Sequence, residues 1–236
     1  MSSPTEIRNW ISTHLDALID DDYKKGLSGF VPGAGKITGV PVPKLRVLAR
    51  EAQKDLKPTP EIWAKYISFV IPDRHREMIL TGAFGLGKKA SQLDDLFGER
   101  ASGWGRELDN WETVDQLSVP VGAWVLADLS RIGYLESWAA HGETVWKKRL
   151  GVVSTVQLNH GGHSHSKETL KVVRHVMETD DKMLIKAAGW ALREIKDQET
   201  LERFLTEWAP ECKKTLLTQS MKELPKANQK RITGMD

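Results

Sequence analysis

The 236-residue chain holds a single cysteine, Cys212. That excludes an intramolecular disulfide and a zinc site built on several thiolates. No apolar run approaches the roughly 20 residues that a membrane-spanning helix needs. The start, Met1-Ser2-Ser3-Pro4-Thr5-Glu6, lacks a basic stretch followed by an apolar one, so no secretory signal is visible and the cytoplasm is the expected compartment. An excess of one charge is also missing: 34 basic residues face 32 acidic ones, a net charge of +2. Such a balance neither demands nor forbids a nucleic-acid partner; what decides is whether the basic groups share a face. Tyr and Phe are sparse, at 3 and 5, against 9 Trp. Indoles are large plates with one polar edge, so some of them are expected at working surfaces rather than in the core. Runs of alternating polar and apolar residues are absent, which argues against a sheet.

What is present reads as helix after helix. Ser3-Pro4-Thr5-Glu6 is a capping box, opening an amphipathic helix to about Ile19 with Ile7, Ile11, Leu15 and Leu18 on one stripe. Residues 21–42, rich in Gly, Pro and Lys, read as a loop. Helices are expected at about 43–55, from Thr59-Pro60 onward, at 73–86, weakly at 91–98, and at 109–119, where Pro120 breaks the pattern. Further helices are expected at about 121–131, 134–148, 149–159, 167–179, 182–196, 199–208 and 213–222. Connections are short, so the helices pair. Val145-Trp-Lys-Lys-Arg149 and Leu184-Ile-Lys-Ala-Ala188 overlay at an offset of 39 residues, near the period of HEAT-type helical repeats. The expected fold is all-α: stacked antiparallel helix pairs in one domain over residues 1–236, curved into a solenoid with a long concave face. A compact helical bundle is the alternative.

Three features tempt toward chemistry. Gly82-Ala-Phe-Gly-Leu-Gly87-Lys88 has the spacing of a phosphate-binding loop, but Lys89 stands where Ser or Thr would hold magnesium. Gly85 and Gly87 read better as helix C-caps. His160, His163 and His165 flank two glycines; imidazoles this close can take zinc, but the stretch reads as a solvated loop. Cys212 has no nucleophile context. No metal and no cofactor are expected.

Two segments are richer. Within Asn110-Trp111-Glu112-Thr113-Val114-Asp115, the spacing of four places Trp111 and Asp115 on one helix face. Val114, Leu117 and Val121 mark a separate apolar stripe. Taken alone, the pair reads more readily as a half-buried Trp beside a capping or salt-bridged Asp. In Ile185-Lys-Ala-Ala-Gly189-Trp190-Ala-Leu-Arg193-Glu194, a glycine sits inside a strong helix, at a cost of about 1 kcal/mol relative to Ala. Either close helix packing or space beside Trp190 would account for it. Between the two lies the basic cluster Lys147-Lys148-Arg149.

Together with Gly39-Val-Pro-Val-Pro43-Lys-Leu-Arg46, these segments resemble, in order and over nearly the whole chain, the AlkD family of DNA alkylation-repair glycosylases. The resemblance implies HEAT-like helix pairs around a concave DNA-binding cleft. It also implies removal of N3- and N7-alkylated purines from double-stranded DNA by a monofunctional glycosylase, acting as a monomer. By motif match, Trp111, Asp115 and Trp190 fall on the family's catalytic aromatic–carboxylate–aromatic trio. Arg149 falls on its cleft arginine, and Arg46 and Arg50 on a helix that contacts the DNA backbone. Lys147 and Lys148 would add to phosphate binding. Arg193 would either join them or pair with an acid of its own helix. The 21–42 stretch is longer than in the best-known members; Tyr23 is the candidate for the family's aromatic contact there. No lysine is placed as an amine nucleophile, so no lyase step is expected. A non-catalytic DNA-binding protein that recognises bent or branched DNA is the main alternative, and a scaffold for a protein partner is another.

Of the remaining tryptophans, Trp10, Trp63, Trp124 and Trp208 sit in apolar patterns and are expected in the core.

Overall fold

The computed structural model describes residues 2–31, 33 and 35–234, all but the side chain at position 28. The chain is all-α, and its helices pack in stacked pairs. Among the described residues the one extended pairing is an isolated bridge between Lys36 and His75. Among the described residues no helix is long and apolar enough to cross a membrane. The chain divides into two compact units, Met1–Ala127 and Asp128–Asp236.

The first unit contains α1 (Pro4–Leu15), α2 (Asp21–Phe30), α3 (Val42–Leu56), α4 (Pro60–Val70), α5 (Arg76–Leu86), α6 (Leu96–Glu107) and α7 (Trp111–Ala127). Helix α5 is its axle, packed against α3, α4 and α7 and buried along nearly its whole length. Gly85 is not a cap: a Cβ there would lie 2.5 Å from the Trp63 ring, so its bare backbone lets α5 close on α4. Gly87 does end α5, with φ +44°.

The second unit contains α8 (Ile132–His141), α9 (Val145–Ser154), α10 (Ser166–Val173), α11 (Lys182–Arg193), α12 (Gln198–Trp208), α13 (Lys214–Ser220) and α14 (Lys226–Thr233). Helices α8 and α9 pair, as do α10 and α11. The first members of successive pairs touch (α8, α10, α12), and so do the second members (α9, α11, α13). This gives the unit two layers. Gly189 serves the inner contact of one layer: its missing Cβ would sit 2.9 Å from the Gln219 Cβ on α13. Close packing is therefore what the mid-helix glycine is for.

Several elements depart from the sequence reading. Residues 21–30 form α2 rather than a loop. Asp20 caps it by accepting the Tyr23 amide at 2.9 Å, acids fill its first turn and Leu27 is buried; Gly26 and Gly29 had masked that pattern. Helix α7 runs through Pro120 unbroken. Proline there forfeits one backbone bond, but Val114, Leu117, Val121 and Trp124 are fully buried around it, and their packing holds the helix together. The break expected near residue 148 lies instead at Gly142–Thr144, where the Thr144 hydroxyl caps α9 by accepting the Lys147 amide. Helix α6 covers residues 96–107 rather than 91–98, and α14 was not anticipated. Trp63 and Trp124 are fully buried, joined by Trp104 and Trp138. Trp10 and Trp208 are only half-buried: Trp10 stacks on His14 with ring centroids 3.9 Å apart, and Trp208 is the last residue of α12.

Candidate functional site

In the first unit, everything centres on the opening turn of α7. Asn110 caps it, its side-chain oxygen accepting the Thr113 amide at 3.0 Å. Trp111 is the first helical residue and Asp115 stands one turn on. Both are half-buried, while Val114, Leu117 and Val121 are completely buried. The spacing thus separates a partly open face from a core face, as expected. Phe30, at the end of α2, meets the Trp111 ring edge-on, with centroids 5.4 Å apart. Phe30 is itself 66% exposed, so it extends the aromatic surface outward.

Beneath this face lies a buried ion cluster that sequence reasoning missed. Arg76, 1% exposed, donates Nε and Nη2 to the two carboxylate oxygens of Glu112, both at 2.6 Å. It also reaches Glu77 at 3.2 Å and the Val40 carbonyl at 3.3 Å. Its Nη2 donates to the Tyr23 hydroxyl at 3.2 Å, with the guanidinium carbon 5.8 Å from that ring's centroid. Glu77 in turn accepts amides from Thr38, Gly39 and Val40. Burial alone would lower the Arg76 pKa, but the hydrogen bonds and charges of Glu112 and Glu77 outweigh it and hold the pKa above the ordinary value. Burial likewise pushes Glu77 up, and the Thr38 and Gly39 amides with Arg76 overcome it, so its carboxyl ends below the usual range. His75 runs the other way: burial lowers it, only partly offset by Glu77. The cluster fastens α2 and the 36–41 segment to α5 and to the turn that carries Trp111. A sequence signal for it exists. Arg76-Glu77 precedes Met78-Ile79-Leu80, and adjacent charges opening a fully apolar run require buried partners.

Arg46 and Arg50 are exposed and one turn apart on α3; the Arg46 guanidinium lies 4.3 Å from the centroid of the Phe84 ring. That geometry leaves both on one helix face.

In the second unit, α9 and α11 carry the expected residues. Arg149 is 5% exposed and donates to the Met183 carbonyl at 2.6 Å, tying α9 to the start of α11. Lys147 is 8% exposed and ion-paired with Glu143 at 2.9 Å. Lys148 is half-buried. Arg193 pairs with no acid of its own helix; it donates to the Gln219 carbonyl at 3.0 Å. Trp190 is half-buried, and its indole N–H donates to one Glu194 carboxylate oxygen at 3.1 Å. The other oxygen meets His160 Nε2 at 2.7 Å. So His160 of the histidine loop is not simply solvated: it holds the carboxylate that orients Trp190. His163 and His165 stack with centroids 6.1 Å apart. Among the described residues no group of three or more metal-ligating side chains forms.

Comparison with known proteins adds two findings. A family model described as DNA alkylation repair enzyme matches residues 11–224, spanning most of both units. A solved structure described as a predicted DNA alkylation repair enzyme from Enterococcus faecalis superposes with a TM-score of 0.74 at 17% identity, covering 88% of this chain and 97% of that one. At that identity the likeness speaks for the fold alone. No curated protein matches the sequence.

Proposed function

Because the chain belongs to the family of DNA alkylation repair enzymes, we propose that it is a monofunctional DNA glycosylase, working as a monomer on duplex DNA and excising purines alkylated at N3 or N7. The observation that carries this reading is the pairing of Trp111 and Asp115 on the partly open face of α7, above a turn clamped by buried charges.

Alkylation at N3 or N7 makes the purine cationic. When the bond between the sugar C1′ and the base nitrogen breaks, its electron pair leaves with the base and neutralises it. Positive charge then grows on the sugar. Little acid catalysis is needed at the base; what helps is a fixed negative charge near the sugar. In this proposal the Asp115 carboxylate supplies it and orients the water that attacks C1′, with the water's surplus proton passing to the carboxylate or to solvent. A carboxylate gains nothing from facing phosphates, so its presence on a DNA-binding face needs a catalytic reason.

Trp111 and Trp190 would pack on the sugar and the lesion. A cation over an indole face is favoured by about 0.5–2 kcal/mol, which selects charged lesions over normal bases. Glu194 and His160 act on Trp190 as positioning residues. Contacts made to sugar and backbone do not require the base to enter a pocket, so bulky adducts are accepted as well. Arg149, Arg46, Arg50 and Lys148 would neutralise phosphates, giving an affinity that falls steeply with salt. Arg149, Lys147 and Arg193 each also hold a partner within the protein, the Met183 carbonyl, Glu143 and the Gln219 carbonyl, and so serve the shape of the second unit as well.

Asp115→Asn tests the assignment. It is expected to abolish excision while preserving or tightening DNA binding, because a repulsive charge is gone. Equal excision by the variant and the wild type would remove Asp115 from the mechanism.

A further inference from the structure

The second unit carries another set of cations, on the layer that does not hold Trp190 and Arg149. Lys167 and Lys171 lie one turn apart on α10, and Arg174 follows at the next turn. From α12, Arg203 faces the same groove beside Thr200. Leu170 and Phe204 also line it, and its volume is about 350 Å³. Glu207 is the one acid among the lining residues. All four cations are exposed, and none forms an ion pair or side-chain hydrogen bond with a described residue.

A basic stripe along a single helix needs no partner beyond water. Convergence of two helices is different, because like charges then face each other across a shared groove and repel. Among its lining residues four cations stand against one acid, with the Asp197 charge acting on Arg203 from outside the lining, where the whole chain has only +2. From Lys167 to Arg174 the helix rises about 10 Å, a length matching roughly three steps of a nucleic-acid strand at ~3.4 Å each. Two guanidinium forks and the Thr200 hydroxyl suit phosphate oxygens.

We infer that the α10–α12 groove is a second phosphate-backbone site, which holds a DNA segment other than the one engaged through α9 and α11. A duplex is stiff over roughly 150 base pairs, so one short segment does not bend from one layer of the unit to the other. Two segments held at once allow direct transfer of the protein between them, without a free intermediate. The inference needs DNA binding by the first site but not base excision.

The test is a chase experiment on the full chain. Protein is bound to a fluorescent, lesion-free duplex of about 20 base pairs, short enough to stay straight, and dissociation is followed as unlabelled duplex is added at rising concentration. Wild type is expected to dissociate several-fold faster as competitor rises. The triple variant Lys167→Glu, Lys171→Glu, Arg203→Glu is expected to dissociate at a rate independent of competitor. Its slope of log affinity against log salt at low salt should be smaller by about 2–3, at ~0.9 per phosphate lost. Lys222→Glu, Lys226→Glu, Lys230→Glu makes the same charge change at other exposed positions and should keep the competitor dependence; circular dichroism checks that both variants fold. A competitor-independent rate in wild type, or equal behaviour of the two triple variants, overturns the site. Acceleration by polyglutamate as strong as by duplex would assign the groove to acidic protein and overturn it too. Base release measured in parallel separates this outcome from failure of the glycosylase reading.

Discussion

Replacing Arg76 by Met probes the clamp beneath Trp111. Arg76 is 1% exposed, Glu77 is 0% and Glu112 is 8%. Loss of the guanidinium strips Glu112 of both 2.6 Å donors. Glu77 keeps its three backbone amides but loses its cation. Removing one partner from a buried pair leaves an uncompensated charge and costs about 3–5 kcal/mol. For a domain of this size that lowers the melting temperature by roughly 6–20 °C, at about 2–4 °C per kcal/mol. Adding Glu112→Gln removes the stranded charge, so the double variant should recover part of the loss, with a coupling energy of about 1–3 kcal/mol. Urea unfolding followed by circular dichroism measures both. Excision should fall as well, because loosening the turn of Trp111 and Asp115 by about 1 Å can cost ~100-fold in rate. A stability change under about 1 kcal/mol, the range of an exposed pair, would refute the cluster as the clamp.

Acid should loosen the first unit in two stages. His75 is held below its ordinary 6.5 by burial, so the unfolded chain takes up its proton first, and stability falls as pH drops below about 6.5. Glu77, held below 4.5 by its amide donors and Arg76 in spite of burial, adds a second loss as pH falls below that value and through its lowered folded pKa. Urea midpoints between pH 7.5 and 4 read both stages; a flat midpoint from 7 to 5, unchanged by His75→Gln, would contradict the first. At Glu194, Ala should slow single-turnover excision about 10–100-fold, the worth of one hydrogen bond to a charged group, with little change in DNA affinity. Gln, whose amide oxygen still accepts the Trp190 N–H, should restore most of it; equal loss in both variants would show that the bond does not position the ring.

Much of this was readable from residues alone, where short-range rules govern. The capping box at Ser3, the Thr59 cap and the face separation on α7 all follow from side chains within one turn of each other. What escaped depends on partners distant in the chain. Glycines hid α2, whose order comes from its Asp20 cap and from Tyr23 meeting Arg76, 53 residues away. Pro120 looked like a break because the packing that overrides it lies on other helices. Lys147 looked like a free cation until the helix boundary moved and Glu143 fell one turn before it. His160 and Glu194 are 34 residues apart, and nothing in the histidine loop announces that contact.

The most direct measurement is release of free base from methylated duplex DNA, resolved by chromatography, with wild type and Asp115→Asn side by side. The account predicts 7-methylguanine or 3-methyladenine from wild type and none above background from the variant, with both proteins still bound to DNA. Tight DNA binding with no base released by wild type would contradict it.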